Sequence, residues 1–153
     1  MANGKIGTNI VTQIGMVVRD IEAVTKAYAE FFGVPVPPIF TTPPYEQSQA
    51  QYNGQPCYGL AKQSFFHVGD HLDIELLQPD EKPSVWRDFL LEKGEGVHHI
   101  AFVIDGMKEK LAVMEADGMK LMQKGEYTGG RYAYCDATEQ LKVILELLEN
   151  DKK

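Results

Sequence analysis

The chain repeats itself, and the repeat limits the folds open to it. Gln13-Ile14-Gly15-Met16-Val17-Val18 runs into Arg19-Asp20-Ile21 and a helical stretch to Gly33. His99-Ile100-Ala101-Phe102-Val103-Ile104 runs into Asp105-Gly106-Met107 and a helical stretch to Gly118. Each segment reads as an apolar strand, an Asp near a helix start, and an amphipathic helix closed by Gly in a left-handed cap. Ile21, Val24, Tyr28, Phe31 and Phe32 form one three-and-four-residue stripe, and Met107, Leu111 and Met114 form the other; both read as core packing. A second pair of segments also aligns, Leu72-Asp73-Ile74-Glu75-Leu76-Leu77-Gln78 with Val143-Ile144-Leu145-Glu146-Leu147-Leu148-Glu149. Each centres on a Glu inside an apolar strand.

The order strand, helix, strands, Glu-bearing strand therefore occurs twice. At 153 residues the chain suits one domain and is short for two. We expect a single domain over 1–153, with a first module at about 8–79, a linker helix at about 83–94 and a second module at about 96–149. Gln13 and Glu75 stand 62 positions apart and His99 and Glu146 47, so the first half carries 15 extra residues. The excess falls in 35–56, where Pro35, Pro37, Pro38, Pro43, Pro44 and Pro56 oppose regular structure. That stretch reads either as a lid or rim over a pocket or as a plain connecting loop. In the linker, Ser84 and Gly94 read as caps of a short helix that buries Trp86, Phe89 and Leu90.

A net charge of −7 argues against a nucleic-acid partner and against docking to anionic lipid. No apolar run is long enough to span a bilayer, and MANGKIGTNIV lacks the layout of a signal peptide. Cys57 and Cys135 fit reduced thiols, so the expected location is cytoplasmic.

Strand alternation sorts the polar residues. Gln13, Gly15 and Val17 share one face of the first strand. His99, Ala101 and Val103 share the matching face of its partner, while His98 falls with Ile100 and Phe102 and reads as a structural core residue. Asp73, Glu75 and Leu77 share a face, as do Ile144, Glu146 and Leu148. His67 and His71 flank a turn at Gly69-Asp70 and read as surface residues. A carboxylate inside an apolar strand is costly without a partner, and Glu75 and Glu146 have this problem at equivalent places. A shared divalent cation would solve it for both. Two Glu, one His and one Gln offer three oxygens and one nitrogen with two negative charges, which suits Zn²⁺, Ni²⁺, Co²⁺, Mn²⁺ or Fe²⁺ with open positions. Spacing alone equally allows four unrelated polar residues.

These residues carry a resemblance. The duplicated units and the Gln13, Glu75, His99, Glu146 set resemble the vicinal-oxygen-chelate superfamily (glyoxalase, bleomycin-resistance and dioxygenase proteins) over about 8–149. The resemblance implies an α+β fold, with two tandem βαβββ modules forming a curved mixed sheet around a metal-binding cavity. The four residues match the zinc-type glyoxalase I set in kind and order. The stretch Ile74-Glu75-Leu76-Leu77-Gln78-Pro79 through Phe89-Leu90, then Lys93-Gly94-Glu95-Gly96-Val97-His98-His99-Ile100-Ala101-Phe102, is more similar to methylmalonyl-CoA epimerase.

The resemblance implies one divalent ion (Zn, Ni, Co or Mn) on Gln13, Glu75, His99 and Glu146, a small carbonyl substrate, and a homodimer. It implies a glyoxalase-I-like lyase or isomerase that abstracts a proton next to a metal-bound carbonyl through an enediolate, with Glu146 as ligand and base or with Glu146 and Glu75 sharing the task. An epimerase-like racemase of an acyl-CoA and a non-catalytic small-molecule-binding protein are the alternatives; a dioxygenase would want a second His ligand. Val17 stands where the glyoxalase I pattern has Arg, Pro79 where it has Asn, and Gln13 where the epimerases have His. No residue thus speaks for a glutathione or CoA adduct. Arg131 and Tyr132 after Gly129-Gly130 read as an exposed pair, with substrate-anion binding as the other option.

Overall fold

Asp20 begins the first helix as its sequence position suggests. Strand β1 (Gln13–Val17) leads into α1 (Ile21–Phe32), where the Asp20 side chain accepts the Ala23 N–H and Gly33 closes the helix at φ 67. The structure, a computed structural model, describes residues 4–153; Met1–Asn3, the start of the segment read above for a signal, lie outside the described residues. The second unit begins with β7 (Gly96–Val103) and α4 (Met107–Ala116), with Asp105 again near the helix start but a different residue capping it. Gly106 rather than Asp105 is the N-cap, and it offers no side chain. Glu149, from the last strand, accepts the N–H groups of Gly106 and Met107 instead.

The other elements are β2 (Phe40–Thr41), α2 (Tyr45–Ser48), β3 (Gln51–Tyr52), β4 (Gln55–Pro56), β5 (Ala61–Val68), β6 (Leu72–Pro79), α3 (Val85–Lys93), β8 (Leu121–Tyr127), β9 (Gly130–Ala137), α5 (Thr138–Leu141) and β10 (Val143–Asn150). They give the α+β fold expected, a curled ten-stranded sheet in the order β2-β5-β6-β1-β7-β10-β9-β8-β3-β4. The units are equivalent: the run β1-β6-β5-β2 in one matches the run β7-β10-β9-β8 in the other. Antiparallel pairing of β1 with β7 joins them.

The proline-rich stretch is more ordered than its composition suggests. It leaves one edge of the sheet, where β2 pairs with β5, and arrives at the other, where β3 pairs with β8. Pro44 sits at the N-cap of α2, where its missing N–H costs nothing, and Pro56 lies in β4, an edge strand. The extra residues of the first half thus form a strap between the two ends of the sheet.

Outside the curl, α1 covers Val18, Phe66 and Leu76, and α4 covers Ala133, Cys135, Leu145 and Leu147. Phe31 departs from the helical stripe and is 82% exposed. Inside, the linker helix α3 fills one end of the concave face: Trp86 and Leu90 pack on Val17, Leu77, Tyr134 and Ile144. Cys57 and Cys135 are free and buried. No helix among the described residues is long and apolar enough to cross a membrane.

Candidate metal centre

Two neighbouring rungs of the sheet supply the cluster. In one, Gly15 of β1 lies between Glu75 of β6 and His99 of β7. In the next, Ala101 of β7 lies between Gln13 of β1 and Glu146 of β10. Each rung sets a small residue between two candidate ligands, so both pairs can lean inward over the gap. At Gly15 the need is strict, because a Cβ there would stand 2.0 Å from His99 Cε1.

The four side chains meet. His99 Nε2 lies 2.8 Å from Gln13 Oε1, 3.0 Å from Glu146 Oε2 and 3.4 Å from Glu75 Oε1. All four residues are buried, His99 completely. Ligand atoms of Glu75, His99 and Glu146 all lie within 4.8 Å of one another, a spacing that could hold a metal ion. The Gln13 amide can present either end to the two carboxylates, at 2.7 Å from Glu146 Oε2 and 3.3 Å from Glu75 Oε1. As NH₂ it donates to both; as oxygen it completes a ring of acceptors that a cation would satisfy. Three oxygens and an imidazole nitrogen fit a divalent transition ion.

Electrostatics within the cluster follow the same logic. Burial pushes the Glu75 carboxyl up, against the hydrogen bond from His99, and the Glu146 charge adds to the rise. Burial pulls His99 down, but the charge and hydrogen bond of Glu146, with Glu75, outweigh it and bring it to about 9.

His98 is not where alternation placed it. The β1–β7 register pairs Gly15 with His99 and Met16 with Val97, so His98 is the extra residue of a β-bulge. The bulge turns His98 off the face of Ile100 and Phe102 and onto the concave side, edge-on to Phe89 of α3 and Tyr134 of β9. Its Nδ1 lies 2.9 Å from Nδ1 of His99. Burial, then the charge of His99, holds His98 well below the usual histidine range, so it is the uncharged member of the pair. A neutral His99 that presents its Nε2 lone pair to the cluster carries its proton on Nδ1 and donates it to His98. His67 and His71 are on the surface as expected.

The cluster floors a cavity of about 840 Å³ that Gln13, Glu75 and Glu146 line directly, with His99 behind them. The strap is part of its wall through Pro43, Pro44 and Gln47, and Gln47 reaches Thr128 of the β8–β9 turn at 3.4 Å. Sequence reasoning missed Gln63, which lines the cavity and donates to Glu75 Oε2 at 3.1 Å. The turn at Gly69-Asp70 was its signal: it pairs β5 with β6 and sets Phe65 opposite Glu75, with Gln63 two residues away on the same face. Of the pair after Gly129-Gly130, Tyr132 lines the cavity. Arg131 does not; it is ion-paired with Glu126, Glu149 and Asp151.

The chain has counterparts among known proteins in sequence and in fold. Among curated proteins, the uncharacterised protein YqjC of Bacillus subtilis (strain 168) is 30% identical over 89 residues, 56% of this chain. The match spans 63% of that relative's length. Among solved structures, methylmalonyl-CoA epimerase from Mycobacterium tuberculosis superposes with a TM-score of 0.64 at 17% identity, covering 99% of this chain and 93% of that one. A hypothetical protein, BH1468, from Bacillus halodurans C-125 gives 0.63 at 20% identity, covering 94% and 96%. A single-residue variant of the Streptomyces coelicolor methylmalonyl-CoA epimerase, in complex with 2-nitronate-propionyl-CoA, gives 0.59 at 21%, covering 93% and 97%. The family model for the Glyoxalase/Bleomycin resistance protein/Dioxygenase superfamily matches residues 12–135. That span is most of the chain, and the protein therefore belongs to the glyoxalase/bleomycin resistance protein/dioxygenase superfamily.

Proposed function

We propose that this protein is a divalent-metal-dependent lyase or isomerase of the glyoxalase type, which removes a proton from the carbon next to a substrate carbonyl. The observation that carries the reading is the meeting of Gln13, Glu75, His99 and Glu146 at the floor of a ligand-sized cavity. An ion held by these four would supply Lewis-acid stabilisation of the negative charge that develops on the carbonyl oxygen.

The side chains divide the remaining work. Gln63 and His99 both hold Glu75, which restrains it as a ligand. Glu146 contacts only His99 and Gln13 within the cluster and faces the cavity, so it is the base we assign. Trp86 and Tyr134, joined by a 3.0 Å hydrogen bond from Trp86 Nε1 to the Tyr134 hydroxyl, give the cavity an aromatic wall beside the cluster.

A racemase reading also calls for a test, because both carboxylates line the cavity and fold neighbours include epimerases, one of them in complex with 2-nitronate-propionyl-CoA. Metal analysis followed by deuterium exchange from solvent into 2-hydroxy-aldehyde, thiohemiacetal and acyl-CoA compounds separates the cases. We expect exchange that Glu146→Gln abolishes. Exchange into the acyl-CoA alone would favour the racemase, and bound metal with no exchange into any would favour a binding protein.

A further inference from the structure

We propose that the substrate is an uncharged, largely apolar carbonyl compound; the inference rests on the proposed reaction and names its substrate class. The cavity wall carries it. Phe40 and Phe65, stacked at 5.8 Å and 26°, line it together with Trp86, Tyr132 and Leu148. Among the described residues, none of the 15 lysines and arginines lines the cavity. Arg131, the cation that the loop sequence offers, does not line it and is engaged by Glu126 at its edge and by Glu149 and Asp151 beyond it.

The charge balance points the same way. Glu75 and Glu146 line the floor, while Glu126, which also lines the cavity, is already paired with Arg131. A divalent ion cancels the two floor carboxylates and leaves no positive surplus for a second anionic group. The protein's charge of −7 adds a repulsive field at longer range. A carboxylate, phosphate or peptide conjugate would lose its water against aromatic rings with no cation in exchange. A neutral molecule gives up no ionic hydration, and the aromatic wall favours transfer of its apolar part from water.

The test is a matched ligand series on the nickel-loaded protein, with binding read by calorimetry. The series holds α-hydroxyacetophenone, its para-carboxylate, S-lactoylglutathione and acetyl-CoA. We expect α-hydroxyacetophenone to bind at least about tenfold more tightly than any of the charged members. Equal or tighter binding of any charged member overturns the inference, as does absence of saturable binding by the neutral one. The exposed Gln47→Lys variant adds an ammonium to the cavity wall and should narrow the gap to the para-carboxylate several-fold; an unchanged ratio also overturns it. Deuterium exchange on the same samples judges the reaction separately. Neutral preference without exchange keeps the substrate class and removes the catalytic reading, whereas exchange with charged preference removes the substrate class and keeps the reaction.

Discussion

Gly15 decides whether the four clustered side chains can meet. Its missing side chain is the space that His99 occupies, at a separation no Cβ could share. Gly15→Ala should push the imidazole off its position, cost about 1–3 kcal/mol of stability by overpacking, and weaken ion binding more than it lowers Tm; thermal melts with ion titration check both. His98 acts one step further out. Removing its Nδ1 acceptor while keeping its ring contacts with Phe89 and Tyr134, as His98→Phe would, leaves His99 free to turn. We expect ion affinity to fall about 10- to 100-fold with the fold retained, and His98→Asn, which restores an acceptor near Nδ1, to recover part of it. The d–d spectrum of the cobalt form should shift in His98→Phe and return toward wild type in His98→Asn.

Between elements, a few polar contacts pin helices to the sheet. Thr25 of α1 and Ser64 of β5 share a 2.9 Å hydrogen bond with both residues fully buried. Thr25→Val strands the Ser64 hydroxyl and should cost about 1–3 kcal/mol in denaturant unfolding, while the double change with Ser64→Ala should cost less than the single one. Glu149 caps α4 from β10. Its carboxyl is held below the usual range, first by the Gly106 N–H and then, against desolvation, by Arg131 and the Met107 N–H. A depressed carboxylate stabilises the fold above its unfolded value, near 4.3, and loses that contribution as pH falls through the lower folded value. Glu149→Gln should therefore lower Tm at neutral pH, and the gap from wild type should close in melts taken below about pH 4. The strap belongs to this scale as well, since its two ends sit on opposite edges of the sheet.

Seen whole, the molecule is two equivalent units whose seam, β1 against β7, is also the site: Gln13 and Glu75 come from the first unit, His99 and Glu146 from the second. The repeat made this much legible in the sequence, because Gln13 with His99 and Glu75 with Glu146 occupy matching positions on strands whose alternation can be read. Alternation failed at His98, where a bulge inserts one residue and no local residue type announces it. Composition misled in the proline-rich stretch, because what orders it is pairing with strands about twenty and seventy positions away. Gln63 was hidden for a related reason: its partner is set by a hairpin register rather than by the repeat. An ion shared across the seam should stabilise both units together, by about 2.7 kcal/mol at a hundred times its Kd. The most direct test is ion titration of the purified protein beside a His99→Ala, Glu146→Gln double variant. We predict one equivalent of zinc, nickel or cobalt bound per chain, and its loss in the variant; no bound ion, or full affinity in the variant, would contradict the account.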